Sequence, residues 1–502
     1  MKILSVSQIR DADAYTIAHE PVKSVDLMER AGEACTRVIM DMAGDEAGSI
    51  LVIAGQGNNG GDGLVIARIL ADQGFQVTAA IPWIQAKGSP DFEINQKRLR
   101  GAAVKVIRLK EAGHLPDPAA FDLVVDALFG SGLNRPVSGL IGEVIDRVNN
   151  AGAFVISIDI PSGLFADRYT DPDAGAIMMA DITLALELPK LVMLMPGAYT
   201  FTGECILVPI GLHPDYIRDA KSPYEIFTID DALELFMPRG RVAHKGSYGH
   251  ALLLAGSRNR MGAALLAAGG ALRSGTGLLT VALPGGSAAP LNARLPEAMV
   301  LHDPDNEVLT ALPELSPYTA VAAGPGLGTR QATQAVILEL LKKGKVPLVL
   351  DADALNILAE NPEWLRLLPA CSVLTPHPKE FERLAGKAGN DFQRLEMAIA
   401  FANKHQCFIV LKSAFTVVVS PDGQCSFNFN GNAGLAKGGS GDVLTGIILG
   451  LLCRGYANED AARLAVYLHA RAAELAAEYT GLDAMLASDV IQELRTAWRE
   501  LE

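Results

Sequence analysis

The sequence predicts an α/β protein made of two consecutive domains, each a largely parallel sheet with helices on its faces, and three observations carry that reading. Short apolar runs of strand length alternate with helix-period segments throughout. At 502 residues with 49% apolar side chains, the chain exceeds the length at which one core usually keeps growing, and it can fill two. In both halves, glycine-rich turns or acidic residues stand directly behind the apolar runs, at the edge where open α/β sheets bind ligands.

The first half opens with a polar, helix-like stretch over residues 7–42. A strand, SILVIA (residues 49–54), then runs into the turn GQGNNGGDG (55–63), followed by a helical pattern LVIARILADQG closed by Gly74 and a strand over 76–80. Strand, glycine-rich turn, helix and strand form the unit of a Rossmann-like, three-layer sandwich. FDLVVDALFG and FVISIDIPSG are further strands that put Asp126 and Asp159 at their ends. Turn signals between residues 209 and 245 place the boundary near 225, giving domains 1–225 and 226–502.

A second series follows. GHALLLAGS is a strand and turn, MGAALLAAGGALRSG a small-residue helix expected to pack closely on a sheet, and GLLTVALP a strand. YTAVAAGPGLG and VPLVLDADALN repeat the strand-to-glycine and strand-to-acid pattern. The small-residue stretch 261–277 suits either an internal core or a contact between copies, and a homo-oligomer is expected on general grounds.

Composition excludes several classes. The net charge is −14, with no Lys/Arg run interleaved with aromatics, so nucleic acid is not an expected partner. The six cysteines form no Cys-x-x-Cys pair, which argues against a zinc site or a disulfide framework. MKILSVSQIR lacks the apolar stretch of a signal peptide, and runs such as residues 447–453 fall short of the roughly 18 residues a membrane span needs. A cytoplasmic protein without membrane association is expected.

The sharpest local signal is NGNAGLAKGGSGDVL (430–444), a glycine cluster that leads into the buried helical pattern VLTGIILGLL. Successive N–H groups of such a turn converge on an anion, and the following helix N-terminus adds favourable potential. Asp442, in the first helical turn, is close enough to act on a bound hydroxyl, or else it only caps the helix. Lys412 follows the strand CFIVLK, and TPHPKEF sets His377 and Glu380 behind the strand CSVLT. No GxxxxGK[ST] P-loop is present.

Six motifs in order, HKGSYGH (244–250), AGPGLG (323–328), LDADALN (350–356), TPHPKEF (375–381), LKSAFT (411–416) and GGSGDVLTG (438–446), resemble the ribokinase-like family of ADP- or ATP-dependent NAD(P)H-hydrate dehydratases. The resemblance implies a ribokinase-like α/β domain with Asp442 as catalytic base. It implies nucleotide contacts from Lys412, Ser413, Ala414, Phe415, Thr416, Asn432, Gly438, Gly439, Ser440 and Gly441, and contacts to the hydrated dinucleotide from Gly326, His377 and the residues up to Glu382. Lys379 and Ala433 depart from familiar variants of these loops, which leaves the contacts of those loops less defined.

In the first half, the loop DALFGSGLNRP starts at Asp126, and DIPSGL starts at Asp159 with Ser162 behind Pro161. Asn59, Asp126 and Ser162 can supply oxygen ligands to a hard alkali or alkaline-earth cation; alternatively Asn59 and Ser162 hold their own loops through side-chain to backbone hydrogen bonds. LSVSQIRDAD (4–13), NNGGDG (58–63), VVDALFGSGLNRP (124–136) and SIDIPSGL (157–164) resemble the NAD(P)H-hydrate epimerase family. The resemblance implies K+ held through Asn59, Asp126 and Ser162. It also implies substrate contacts from Asn58, Asn59, Gly60, Gly61, Asp62, Gly130, Ser131, Gly132, Leu133, Asn134, Arg135 and Pro136, and from Asp159, which is suited to move a proton. Lys190, in LELPK, is a second catalytic candidate by the same resemblance.

Together the resemblances imply repair of hydrated NADH and NADPH (NADHX and NADPHX): epimerisation at C6, then dehydration of one epimer with ADP or ATP as phosphoryl donor and Mg2+ as cofactor. The competing reading is a kinase for a vitamin-precursor alcohol with a non-catalytic nucleotide-binding N-terminal domain. The residues do not choose between ADP and ATP, or between the two hydrates.

Overall fold

The run SILVIA becomes β1 (Ser49–Ala54), the middle of a seven-stranded sheet with β2 (Gln76–Pro82), β3 (Val104–Leu109), β4 (Leu123–Ala127), β5 (Val155–Ile158), β6 (Ile182–Leu186) and β7 (Glu204–Val208). The order is β3-β2-β1-β4-β5-β6-β7 and every neighbouring pair is parallel. Apolar residues fill both faces of β1 because both are covered, as parallel sheets require. Ile50, Val52 and Ala54 pack with helices Ser24–Ala43 and Asn58–Asp72, whereas Leu51 and Ile53 pack with Ile141, Val144 and Ile145 of helix Gly139–Asn149. The result is the three-layer, Rossmann-like sandwich, with its chain direction of winding reversing between β1 and β4.

The second sheet contains β8 (Tyr224–Phe227), β9 (His250–Leu254), β10 (Leu278–Leu283), β11 (Met299–His302), β12 (Ala320–Ala323), β13 (Leu348–Leu350), β14 (Val373–Leu374), β15 (Phe408–Leu411), β16 (Val417–Val419) and β17 (Cys425–Asn428). Its order is β11-β10-β9-β12-β13-β14-β15-β16-β17-β8. The strands from β11 to β15 in this order are parallel to one another, β16 is antiparallel to both β15 and β17, and β17 pairs with β8 in parallel. This is the ribokinase-like α/β architecture.

The computed structural model describes residues 1–43 and 48–502. It divides into two compact units, Lys2–Ser222 with Asn390–Phe392, and Met1 with Pro223–Gly389 and Gln393–Glu502. Two elements differ from the sequence reading. The opening stretch is two helices, Val6–His19 and Ser24–Ala43, broken around Pro21, which has no N–H to continue the ladder. The small-residue helix, Met261–Arg273, packs on another helix as well as on the sheet. A Cβ added at Gly446 of helix Ser440–Cys453 would collide with the Ala267 carbonyl, and one at Gly270 with the Val443 carbonyl. The stretch is thus internal core, and this close crossing fixes where Asp442 stands. Among the described residues no helix is long and apolar enough to cross a membrane.

Candidate active sites

In the first unit a cavity of about 770 Å3 opens where the winding reverses, behind β1, β4 and β5. That is a volume suited to a cofactor-sized ligand. Asn58, Asn59 and Asp62 line it from the first turns of helix Asn58–Asp72, Gly130 to Pro136 from the loop after β4, and Asp159 from the end of β5. The sequence reads NNGGDG as a turn, but it is the start of the helix itself. Gly60 and Gly61 do not reach the cavity: Gly60 is pressed on the Gly55 carbonyl, and Gly61 lies against Met28 Sδ and gives its amide to the Gly57 carbonyl. Their lack of a Cβ serves packing, while the Asn58, Asn59 and Gly60 amides remain the unpaired donors of a helix N-terminus.

Asp159 is the most constrained of the cavity residues. Its backbone has φ of 68°, a region costly for a non-glycine residue. One carboxylate oxygen is ion-paired with Lys190 and the other accepts the Ser131 amide at 3.0 Å. Burial pushes this carboxyl up, but the Lys190 ammonium and the Ser131 bond more than offset it and hold Asp159 below the usual carboxylate range. Lys190 itself does not line the cavity. Its side chain is 1% exposed, and Nζ also donates to the Leu186 and Leu188 carbonyls at 3.1 Å each. All three ammonium donors are engaged, so Lys190, the expected second catalytic group, meets the cavity only through Asp159.

Asp126 and Ser162 lie beneath the cavity wall. Asp126 is fully buried and accepts from Ser162 Oγ (2.6 Å), Ser157 Oγ (2.8 Å) and the Ser162 and Leu128 amides (2.9 and 3.2 Å). Burial raises its pKa and these hydrogen bonds pull it back part of the way. Ser162 Oγ also accepts the Phe129 amide at 2.9 Å, so this serine does hold the loop after β4. Asn59 does not: its side-chain nitrogen is buried without a partner. The orphaned Asn59 nitrogen is no cation ligand, so the hard oxygens this set offers are those of Asp126, which already accept four hydrogen bonds, the Ser162 hydroxyl and the Asn59 side-chain carbonyl.

Two charged cavity residues escaped the sequence reading. Arg10 and Asp13 project from helix Val6–His19 into the cavity, Arg10 lying against Gly132. Their i, i+3 spacing on one helix face was the available signal. Burial first, then the Asp159 charge, raises Asp13 to about 6 against the opposing pull of Lys190.

In the second unit the strand ends of β13, β14 and β15 converge on the start of helix Ser440–Cys453. Lys412 Nζ donates to Asp351 Oδ1 at 2.8 Å and lies 3.9 Å from Glu380 Oε2; Thr445 Oγ1 donates to Asp351 Oδ2 at 2.6 Å. Glu380 caps its own helix by accepting the His377 amide at 2.8 Å, and lies 3.4 Å from the His377 ring. Burial and the nearby Lys412 and Arg383 charges outweigh Glu380 and leave the His377 pKa lowered. Asp351, absent from the expected site residues, thus organises the cluster; LDADALN carried the same strand-end signal as Asp126 and Asp159.

No hydrogen bond or ion pair reaches the half-buried Asp442 carboxyl among the described residues. Burial and then the Asp351 charge, partly countered by Lys412, raise its pKa to about 7. Gly439, at φ of 97°, turns the chain into the helix. A Cβ at Gly441 would stand 3.2 Å from Lys412 Nζ, and one at Gly438 would meet nothing within 4 Å, so open space adjoins the loop. Behind Ser440 sits the buried His469, whose ring hydrogen-bonds the Ser440 backbone and whose pKa burial lowers to about 4. Of the first amides of this helix, that of Ser440 makes a long, 3.5 Å bond to the Lys437 carbonyl, which leaves those of Gly441 and Asp442 as the donors of an anion cradle.

The side chains of several residues expected to touch the nucleotide are engaged with the scaffold. Asn432 donates to the Ala473 carbonyl at 2.9 Å and accepts the Gly434 amide at 3.0 Å. Ser413 and Thr416 close their own turn, donating to the Phe415 and Ser413 carbonyls, and leave Ala414 exposed beside Phe415, which stacks on Phe429. Gly326, at φ of 64°, lies against the Arg260 backbone, next to a cavity of about 540 Å3 lined by Arg260, Asp353, Asn356 and Arg383.

The sequence profile of the NAD(P)H-hydrate dehydratase family matches residues 251–496, and that of the YjeF-related protein N-terminus matches 24–192. The bifunctional NAD(P)H-hydrate repair enzyme Nnr of Thermofilum pendens is 37% identical over 517 aligned positions, covering 100% of this chain and 97% of that protein. This chain belongs to the bifunctional NAD(P)H-hydrate repair enzyme family. The family member of Moorella thermoacetica is 36% identical, covering 100% of this chain and 97% of its own, and that of Escherichia coli 33%, covering 94% and 88%. Among solved structures, a ribokinase-like superfamily protein of Enterococcus faecalis aligns with a TM-score of 0.50 at 26% identity, over 56% of this chain and 98% of that one. The ADP/ATP-dependent NAD(P)H-hydrate dehydratase of Bacillus subtilis, co-crystallized with ATP/Mg2+, is 36% identical over 55% of this chain and 98% of that one, with a TM-score of 0.48.

Proposed function

We propose that the chain repairs hydrated NADH and NADPH in two steps, residues 1–225 interconverting the C6 epimers and residues 226–502 dehydrating the S epimer at the expense of ADP or ATP. The observation that carries the second step is Asp442: an unpaired carboxyl with its pKa raised to about 7, in the first turn of a helix whose Gly441 and Asp442 amides have no carbonyl within the helix to bond.

Hydroxide is a poor leaving group. Asp442 takes the proton of the C6 hydroxyl as that oxygen attacks the terminal phosphoryl group, and the amides from Gly439 to Asp442 hold the charge spreading over the phosphoryl oxygens. Lys412, fixed by Asp351, adds positive charge at the same edge. Phosphate then departs with the help of the ring nitrogen, leaving NAD(P)H, phosphate and AMP from ADP or ADP from ATP. Mg2+, carried in with the nucleotide phosphates, would neutralise charge on them.

In the first half the cavity behind β1, β4 and β5 takes the hydrate, with Asn58, Asp62 and the loop from Gly130 to Pro136 as contacts and Asp159 as the ionised proton acceptor. Asn59, Asp126 and Ser162 would hold K+, which supplies the positive charge that the buried Asp126 lacks.

The test is to incubate a mixture of both hydrate epimers with the protein, Mg2+ and either ADP or ATP. The expected result is full recovery of the near-ultraviolet dihydronicotinamide absorbance with one phosphate released per molecule. Recovery that stops when one epimer is consumed would remove the epimerase step, and a stable phosphorylated product would replace the repair reading with an alcohol kinase.

A further inference from the structure

Epimerisation at C6 by loss and return of the hydroxyl needs an acid on the departing oxygen as well as a base for the incoming water. Asp159 rests ionised against Lys190, with both oxygens accepting, and so it starts the cycle as the base and not as the acid. Asp62 is its opposite. It stands on the helix behind β1 and lines the same cavity, yet it is only 8% exposed and has no hydrogen bond or ion pair among the described residues. Asp13, equally without a partner, lines that cavity from helix Val6–His19.

We propose that Asp62 is the general acid of the epimerase half, protonating the hydroxyl that leaves C6, and that Asp13 returns the proton to it. The proposal rests on the epimerase reading above. The groups around Asp62 agree: burial first, then the charges of Asp159, Asp13 and Asp91, raise it well above the usual carboxylate range. Cys35, from the second helix, is buried and neutral, Arg10 lines the cavity from the first, and the Lys190 charge is consumed by Asp159. Two acids whose surroundings drive their pKa values apart, facing one cavity, are the arrangement that acid and base roles require.

The step balances. The C6–O bond breaks with its electron pair going to oxygen, the ring-nitrogen lone pair forms N1=C6, and the Asp62 proton turns the departing hydroxide into water. Water then adds to the other face of C6, the N1=C6 pair returns to nitrogen, and the proton released goes to Asp159. Passage of that proton through Asp13 to Asp62 restores the starting state; in the reverse direction the relay first carries the proton from Asp62 to Asp159, and the two carboxyls exchange roles.

The test uses the full chain and one purified epimer in heavy-oxygen water, without nucleotide. The wild-type protein should gain one solvent oxygen at C6 per inversion, with a rate that falls on the alkaline side as Asp62 ionises. Asp62→Asn should lose at least about 100-fold of the epimerisation rate while dehydration of the pure S epimer stays within twofold. Asp13→Asn, which removes a like charge facing Asp62, should move the alkaline limb to lower pH. Inversion without solvent oxygen, which needs no variant to observe, overturns the proposal, as does an Asp62→Asn rate within threefold of an active wild type. A wild-type chain that does not interconvert the epimers at all overturns the epimerase reading itself.

Discussion

Each half pairs a lysine with an aspartate at a strand end, and the two pairs have opposite consequences. In the first half Lys190 spends all three donors on Asp159 and two carbonyls, so the acid that faces the cavity is ionised and held rigidly. In the second half Lys412 takes Asp351, a residue turned toward Thr445, and the acid nearest the anion cradle is left unpaired. Asp442 then feels the Asp351 charge as well as burial, and its pKa rises to about 7. An acid behind a parallel strand is therefore not by itself a base. Which neighbour the lysine chooses sets the protonation state each site works with.

The sharpest way to break this contrast is Asp442→Asn. Dehydration should fall by about 10²–10⁴-fold, the usual contribution of a positioned base, while nucleotide binding and epimerisation persist; turnover within a few fold of wild type would remove Asp442 from the mechanism.

Lys190→Met tests the other pair. It strands a buried carboxylate and should cost the first half about 3–5 kcal/mol in urea unfolding. It should also bring an acid limb into the epimerisation pH profile as Asp159 rises, and an unchanged profile would mean that the lysine does not set the Asp159 state.

The pH dependences should differ in the wild type. Only ionised Asp442 is a base, so kcat/KM for dehydration should drop about tenfold per pH unit below about 7. Because the folded-state pKa of this carboxyl is raised, its contribution to stability is present below the ordinary carboxylate range and is lost as pH rises through about 7. Epimerisation should show no such acid limb, since Asp159 stays ionised. Coincident profiles would erase the distinction.

The smallest effect is Thr445→Val, which removes the 2.6 Å bond to Asp351 and should cost about 1.5 kcal/mol by denaturation. It should also move the dehydration limb to higher pH, because the Asp351 charge loses the hydroxyl dipole that partly screens it and so bears more strongly on Asp442. A stability loss with no movement of the limb would limit Thr445 to a structural role.

Much of this was legible beforehand. SILVIA, CFIVLK and the acids behind FDLVV and FVISI mark their own elements, because an apolar run flanked by polar turns has few other ways to be buried. NNGGDG was harder: a glycine-rich turn and a glycine-rich helix start read alike, and only the closeness of Gly55 and Met28 shows that Gly60 and Gly61 are there for packing. Asp13 and Asp351 were missed for a different cause. Each becomes a site residue through groups far along the chain, the Asp159 charge for one and the Lys412 ion pair for the other.

The sequence by itself determined the two largely parallel sheets, the strand ends that carry polar groups and the glycine-rich loop before Asp442, since these follow from local periodicity and backbone geometry. Only the tertiary structure decided which carboxyl is clamped, which is free and which faces a cavity. Burial and charge proximity act across chain separations that no local pattern records, and they set the proton affinity of every acid in both sites.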